Sequence, residues 1–179
     1  MSGGEGILLY NNITKKYCSF GFLARGKRNY YFATAGHCYL ESARCFLVPW
    51  ESKFTPTAFI GKTFFHRLEK IDFSLITIQN EDFEPIPTIR NTDSKVFPDL
   101  LLTEDYIVVS SNGAHLCLSG LISHVKCGFV ESLNGFASIY AKYVSENIFA
   151  VSMVGENGDS GGSVFSYKQD MPEWYSEFG

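Results

Sequence analysis

Short runs of apolar, aromatic and β-branched residues, separated by polar or glycine-containing turns, recur along most of the chain. Such runs are typical of β-strands, because these side chains pack well on a pleated surface. The runs that predict strands are residues 7–10, 17–24, 30–34, 46–50, 57–65, 70–78, 105–110, 137–143, 148–154 and 163–167, and residues 116–130 predict two strands joined by a turn. Residues 40–44 predict one helical turn. The pattern therefore predicts an all-β fold, either a sandwich or a barrel.

A polar stretch between residues 80 and 98 interrupts this pattern. It holds Pro85, Pro87 and Pro98 and shows little periodicity. Such segments usually connect ordered units. We therefore predict one domain made of two lobes, residues 1–84 and 99–179, joined by residues 85–98.

Composition and charge exclude several classes of protein. The chain is 45% hydrophobic and 19% charged, which indicates a globular fold. A net charge of −4 without any Lys/Arg-rich tract argues against nucleic acid as the main partner. No apolar run approaches the roughly 18 residues of a membrane helix. Residues 1–6 have neither the basic start nor the apolar block of a secretory signal, so we expect an intracellular protein or a mature form.

The chain has five cysteines, an odd number. In a secreted protein this count suggests two disulfides and one unpaired thiol. Cys38 and Cys45 lie seven residues apart, and Cys117 and Cys127, ten apart, could bridge the hairpin predicted at residues 116–130. No Cys-x-x-Cys pair is present, so we expect no zinc site, no other metal and no cofactor.

Three stretches carry candidate chemistry. The first is the sequence ENGDSGGS at residues 156–163, where glycines would let the backbone turn tightly and expose the hydroxyl of Ser160. Amides in such a loop can point at an oxyanion. Taken alone, the stretch fits a surface turn equally well, because Gly, Asn, Asp and Ser are the commonest turn residues.

The other two stretches supply a histidine and an acid. His37 follows a predicted strand in the sequence TAGHC, and Asp72 stands at the mouth of an apolar strand. Alone, His37 is better explained as a partly buried structural histidine and Asp72 as a turn residue. A carboxylate at the edge of a buried strand is costly, however, unless it is paired. A hydrogen bond from the N–H group of a histidine would satisfy Asp72.

Together the three residues follow the order His37, Asp72, Ser160, which is that of the chymotrypsin-type triad. A serine hydroxyl is a poor nucleophile until an imidazole takes its proton, and a carboxylate holds that imidazole in the right tautomer. The backbone amides of Gly158 and Ser160 would then bind the oxyanion. The other histidines (His66, His115 and His124) and the aromatic pairs are best explained by packing or surface roles.

The sequence resembles the chymotrypsin-like serine peptidases, and most closely their streptogrisin and α-lytic protease branch. The segments that carry the resemblance are residues 1–4 (MSGG), 17–22 (YCSFGF), 31–38 (YFATAGHC), 117–120 (CLSG), 127–130 (CGFV) and the GDSGG of residues 158–162. The resemblance implies two perpendicular, antiparallel six-stranded β-barrels with the active site between them. It also implies the disulfides Cys18–Cys38 and Cys117–Cys127, with Cys45 free, and hence an extracellular location.

Three departures from the branch lead to further expectations. The chain ends 19 residues (179 − 160) after Ser160, where the family has more strands, so we expect an incomplete second barrel. Leu118 replaces an arginine that pairs with the aspartate before the serine, so we expect Asp159 to be a buried carboxylate without its usual partner. Val154 stands where the branch has a cysteine of its last disulfide. In trypsin-like members the residue six positions before the serine is an aspartate that binds a basic side chain of the substrate. Because Val154 occupies this position, we expect an apolar rather than a basic residue before the cleaved bond.

Two functions are consistent with these features. The first is a monomeric serine endopeptidase that cleaves peptides or proteins through an acyl-enzyme. The second is a catalytically impaired homologue that binds peptides as an interaction module. A third possibility is an incomplete gene product that does not fold stably.

Overall fold

The computed structural model describes residues 1–102, 109 and 111–167. The strands are β1 (Gly6–Tyr10), β2 (Lys15–Ser19), β3 (Leu23–Arg25), β4 (Tyr30–Thr34), β5 (Arg44–Val48), β6 (Ala58–Arg67), β7 (Phe73–Ile78), β8 (Thr88–Arg90), β9 (Asp99–Leu101), β10 (His115–Gly120), β11 (His124–Ile139), β12 (Tyr143–Val151) and β13 (Ser163–Phe165). Two short 3₁₀ turns, Gly36–Cys38 and Trp50–Ser52, are the only helical elements within the described ranges. The prediction of an all-β fold is confirmed.

Seven antiparallel strands form the first sheet, in the order β2-β1-β5-β6-β7-β4-β3. The edge strands β2 and β3 are consecutive in the chain and are joined by residues 20–22, so the sheet curls until its two edges come together. Apolar side chains of alternate positions fill the interior, among them Ile7, Phe20, Phe32 and Ile76, all fully buried. The rings of Phe20 and Phe32 stack at 4.1 Å.

The second sheet has the order β12-β11-β10-β13, and β8 pairs with β9 in a small third sheet. β11 and β12 form a long hairpin that extends beyond the other strands of its sheet. A separate apolar cluster joins the two sheets, because Leu8, Val48 and Trp50 from the first half of the chain pack against Leu121 from the second. The lobe boundaries at residues 84 and 99 stay a prediction.

The structure differs from the predicted elements at three places in the first half of the chain. Residues 17–24 form two strands, because the chain changes neighbours between them: the amide of Phe20 donates to Glu5, and the next amide, of Gly21, donates to Ala33. The polar connection contains β8, which pairs with β9 across residues 91–98. The helical turn expected at residues 40–44 lies instead at Gly36–Cys38, because residues 44–48 pair with β1 and β6 as strand β5.

In the second half, residues 137–143 do not form a separate strand. They make up the end of β11, the hairpin turn and the start of β12. The alternating pattern there cannot tell one strand from a tight hairpin, since the turn has no glycine or proline to mark it. The strand predicted at residues 105–110 and the tail at residues 168–179, on which the expectation of an incomplete second barrel depends, lie outside the described residues, Val109 excepted.

The structure contains the disulfides Cys18–Cys38 and Cys117–Cys127, and Cys45 is free and buried. These are the pairings that the resemblance implies. Burial raises the pKa of the Cys45 thiol well above its ordinary value. None of the described residues belongs to a helix long and apolar enough to cross a membrane.

Candidate active site

His37 lies in the 3₁₀ turn Gly36–Cys38, directly after β4. The turn packs tightly on the strand ends beside it, since a Cβ on Gly36 would lie 1.9 Å from the carbonyl oxygen of Arg67 and 2.8 Å from the amide nitrogen of Phe73. Only glycine fits there. The disulfide from Cys38 to Cys18 ties the other end of the turn to β2.

Asp72, immediately before β7, binds His37 twice. The Nδ1 atom of His37 lies 2.5 Å from Asp72 Oδ2, and the backbone amide of His37 donates to Asp72 Oδ1 at 2.7 Å. Burial raises the pKa of the Asp72 carboxyl, but the hydrogen bonds from the ring and amide of His37 outweigh burial and hold the pKa below its ordinary value. Because an ionised Asp72 can only accept a hydrogen bond, the Nδ1 atom of His37 carries the proton and donates it to Asp72 Oδ2, which leaves the Nε2 atom of a neutral His37 as an acceptor. The structure thus brings together two of the three predicted residues.

The loop that carries Ser160 packs against the strand ends that carry His37. A Cβ on Gly161 (φ +84°) would lie 2.1 Å from Thr34 Oγ1 and 2.6 Å from the amide nitrogen of Ala35. The carbonyl oxygen of Ser160 accepts a hydrogen bond from the amide of Ser19 at 2.8 Å and lies 3.7 Å from Cys38 Sγ. The backbone of Ser160 is therefore adjacent to the residue after His37. No hydrogen bond joins Ser160 Oγ to His37 among the contacts of the described residues.

Ser19 in β2, which is fully buried, is a site residue that the sequence did not reveal. Its hydroxyl donates to the carbonyl oxygen of Gly158 at 2.7 Å and accepts from the amide of Leu121 at 2.9 Å. Its carbonyl oxygen accepts from Thr34 Oγ1 at 2.8 Å. Ser19 thereby connects the Ser160 loop to the first sheet. The only signal in the sequence was a small polar residue within the apolar run of residues 17–24.

Asp159 is buried, with 4% of its surface exposed, and it is fully hydrogen-bonded. Its Oδ1 accepts from the amides of Ile122 at 2.8 Å and Ser123 at 2.9 Å, and its Oδ2 accepts from the amide of Glu156 at 2.7 Å. Asp159 lacks the usual arginine partner, as expected from Leu118, and three backbone amides take the place of that arginine. Burial raises the pKa of Asp159, but hydrogen bonds from Ser123, Glu156 and Ile122 lower it by more.

Two amides of the loop, those predicted to bind an oxyanion, have no backbone acceptor among the described residues. Gly158 has φ +121°, a conformation open to glycine, and a Cβ there would lie 2.7 Å from Ile122 Cγ1. The neighbouring amides of Asp159 and Gly162 are used inside the loop, donating to Glu156 and Asp159. In the described part of the chain, the amides of Gly158 and Ser160 donate to no backbone carbonyl.

Two cavities flank the His37–Asp72 pair, and Asp72 lines both. One of about 440 Å³ lies on the side of the Ser160 loop and includes Phe22, Ala35 and Gly161 in its walls. The other, of about 420 Å³, lies between His37 and the β11–β12 hairpin, where Ile139 and Tyr140 line it. Asp72 thus borders open space on two sides, and His37 borders it on the side of the hairpin.

The remaining histidines make packing and surface contacts. His66 stacks on Tyr39 at 3.6 Å, and His124 stacks on Trp50 at 4.1 Å while its Nδ1 contacts Asp93. His115 lies close to Cys117 and Cys127, but the disulfide between these cysteines leaves no thiolate for a metal.

Replacing Asp159 with asparagine tests the amide cradle. Asp159→Asn removes a charged acceptor from three amides, so we expect the free energy of unfolding at pH 7 to fall by about 2 kcal/mol. A carboxyl whose folded pKa is depressed stabilises above its unfolded pKa, and that stability is lost as the pH falls through the folded pKa. The difference between the two proteins in urea titrations should therefore shrink below about pH 4. A difference that is constant down to pH 2 would contradict this assignment.

No protein-family model matches the sequence. Solved structures do match. Thermobifida fusca protease A has a TM-score of 0.71 at 22% identity, over 93% of this chain and 78% of that one. A serine protease specific for glutamic acid, which uses a histidine triad in substrate binding, has a TM-score of 0.69 at 23% identity, over 93% and 80% of the chains.

Cellulomonas bogoriensis chymotrypsin matches with a TM-score of 0.67 at 20% identity, over 92% of this chain and 78% of that one. All three matched proteins are proteases. The likeness covers nearly all of the chain, and the fold that the resemblance implied is confirmed: this chain has the chymotrypsin-like fold.

Proposed function

We propose that this protein is a serine endopeptidase in which His37, Asp72 and Ser160 form the catalytic triad. The observation that carries the proposal is the double hydrogen bond between Asp72 and His37, next to a glycine loop whose Ser160 carbonyl is bonded to β2. The Ser160 loop, the turn of His37 and the Asp72 carboxylate thus occur together in this chain, whose fold is that of known proteases.

In this mechanism Ser160 Oγ attacks the scissile carbonyl, and His37 Nε2 accepts its proton. Asp72 stabilises the imidazolium that forms, and its low pKa keeps it ionised for this role. The amides of Gly158 and Ser160 bind the oxyanion of the tetrahedral intermediate, which typically contributes about 3 kcal/mol per donor. His37 then gives its proton to the leaving amine, and water hydrolyses the acyl-enzyme by the same steps.

Further properties belong to the same proposal. The substrate is a protein or peptide, the enzyme acts as a monomer, and neither a cofactor nor a metal takes part. Two disulfides support an extracellular location, since disulfides persist in oxidising compartments.

The alternative is a peptide-binding homologue without activity. The lack of a hydrogen bond between Ser160 Oγ and His37 among the described contacts favours it. Such bonds are often long in unliganded enzymes and shorten when substrate binds, which is why we prefer the enzyme.

A fluorophosphonate probe, which reacts with activated serines, separates the two functions. We expect stoichiometric labelling of the wild type and none of Ser160→Ala, with Ser166→Ala as the control serine in the same stretch. Asp72→Asn should slow labelling roughly 10⁴-fold, because the imidazole loses its tautomer. The measurement is intact mass against time. A folded wild type that stays unlabelled would rule out the enzyme.

The residue before the cleaved bond is proposed to be apolar rather than basic. Val154, six positions (160 − 154) before Ser160, supplies no carboxylate for a basic side chain. The ammonium of Lys126 lies 3.5 Å from the carbonyl oxygen of Val154 and 3.9 Å from the carboxylate of Glu156, so it offsets the negative charge that could attract a basic side chain.

Fluorogenic peptides that differ only in this residue test the preference. We expect kcat/KM for Phe or Leu to exceed that for Lys by at least about tenfold. Lys126→Ala should reduce this difference in kcat/KM, because it removes the ammonium that offsets the charge of Glu156. Preferred cleavage after Lys or Arg would refute the assignment.

A further inference from the structure

The β11–β12 hairpin reaches from the second sheet to both flanks of the His37–Asp72 pair. On one flank, the hairpin contacts Lys70, which lies two residues before Asp72. The amide of Lys70 donates to the carbonyl oxygen of Val144 at 3.0 Å, and Lys70 forms a parallel β-bridge with Ser145. On the other flank, the hydroxyl of Tyr140 lies 3.5 Å from the carbonyl oxygen of His37.

A lysine of the first sheet completes this second contact. The ammonium of Lys16 in β2 donates to the carbonyl oxygen of His37 at 2.7 Å and to the hydroxyl of Tyr140 at 3.3 Å. A charged donor makes a stronger hydrogen bond than a neutral one. Lys16 therefore joins the main chain of His37 to the tip of the hairpin.

The hairpin tip adopts a backbone conformation that its residues do not favour. Tyr140 and Ala141 both have positive φ, at +53° and +52°, and the amide of Lys142 closes the turn on Ile139. Two adjacent positive φ values are typical of a turn that prefers Asn-Gly, because a Cβ is unfavourable there. A backbone conformation of this kind persists only where contacts with the surrounding structure hold it in place.

Burial does not explain why this turn forms. Tyr140 is 65% exposed and Phe136, on the same hairpin, is 77% exposed. The polar contacts described for the Tyr140 side chain are those with Lys16 and His37. The strained turn thus brings the Tyr140 hydroxyl to the main chain of His37.

We propose that Lys16 and Tyr140 form a latch that positions His37, and this inference rests on the proposed function. Asp72 holds the ring and the amide of His37, and the latch holds its carbonyl oxygen. With both peptide groups of His37 fixed, the imidazole keeps one orientation toward the Ser160 loop. Small displacements of a catalytic group cost large factors in rate, so the latch acts on kcat more than on substrate binding.

The test compares two adjacent lysines. Lys16→Met removes the donor, and Lys15→Met is the matched control, because the Lys15 ammonium lies 6.0 Å from the ring of Tyr17 and belongs to no latch contact. We expect Lys16→Met to slow fluorophosphonate labelling and to lower kcat, each roughly 10- to 100-fold, with KM changed less than kcat. Lys16→Arg should restore most of the rate, and Tyr140→Phe should give a smaller loss.

Amide hydrogen exchange measured by NMR tests the latch without relying on activity. The amide of His37 should exchange at least about tenfold faster in Lys16→Met, whereas the amide of Ala33, which donates to Phe22, should not change. If labelling, kcat and His37 exchange in Lys16→Met all match those of Lys15→Met, the latch is refuted. If the wild type takes up no probe, the proposed function fails and the exchange data alone decide on the latch.

Discussion

The site depends on the close contact between the Ser160 loop and the ends of β2 and β4. Gly161 packs on Thr34 and Ala35 so tightly that no side chain fits, and Ser19 binds the loop from within the first sheet. Since β4 leads directly into the turn of His37, this contact sets the distance between the proposed base and nucleophile. The disulfide of Cys18 and Cys38 reinforces it, because it joins the residue before Ser19 to the residue after His37.

Two carboxylates near this contact are kept ionised in different ways. Asp72 accepts hydrogen bonds from the ring and the backbone amide of His37, so its environment changes whenever His37 moves or changes its charge. Asp159 is satisfied by three backbone amides and so is insulated from side-chain chemistry. This division suits a site in which one carboxylate stabilises the imidazolium of the proposed base and the other only shapes the Ser160 loop.

The sequence was enough to predict the all-β fold and the contact of His37 with Asp72, because each candidate residue stands in a short motif at the end of an apolar strand. It could not predict the role of Ser19, since a serine in a strand has no distinguishing neighbours. The amides that bind Asp159 come from residues 122, 123 and 156, which only the folded chain brings together. The hairpin turn at Tyr140 was missed for a local reason, because neither residue with positive φ is glycine or asparagine.

A crystal structure of the protein with a peptide boronic acid, which forms a tetrahedral adduct with an activated serine, tests the proposed triad most directly. We expect boron bonded to Ser160 Oγ, with one boronate oxygen about 3 Å from the amides of Gly158 and Ser160. We also expect that His37 Nε2 contacts the adduct while Nδ1 stays on Asp72. An unmodified Ser160 at saturating inhibitor, or an adduct whose oxygen points away from these amides, would contradict the proposed triad and oxyanion site.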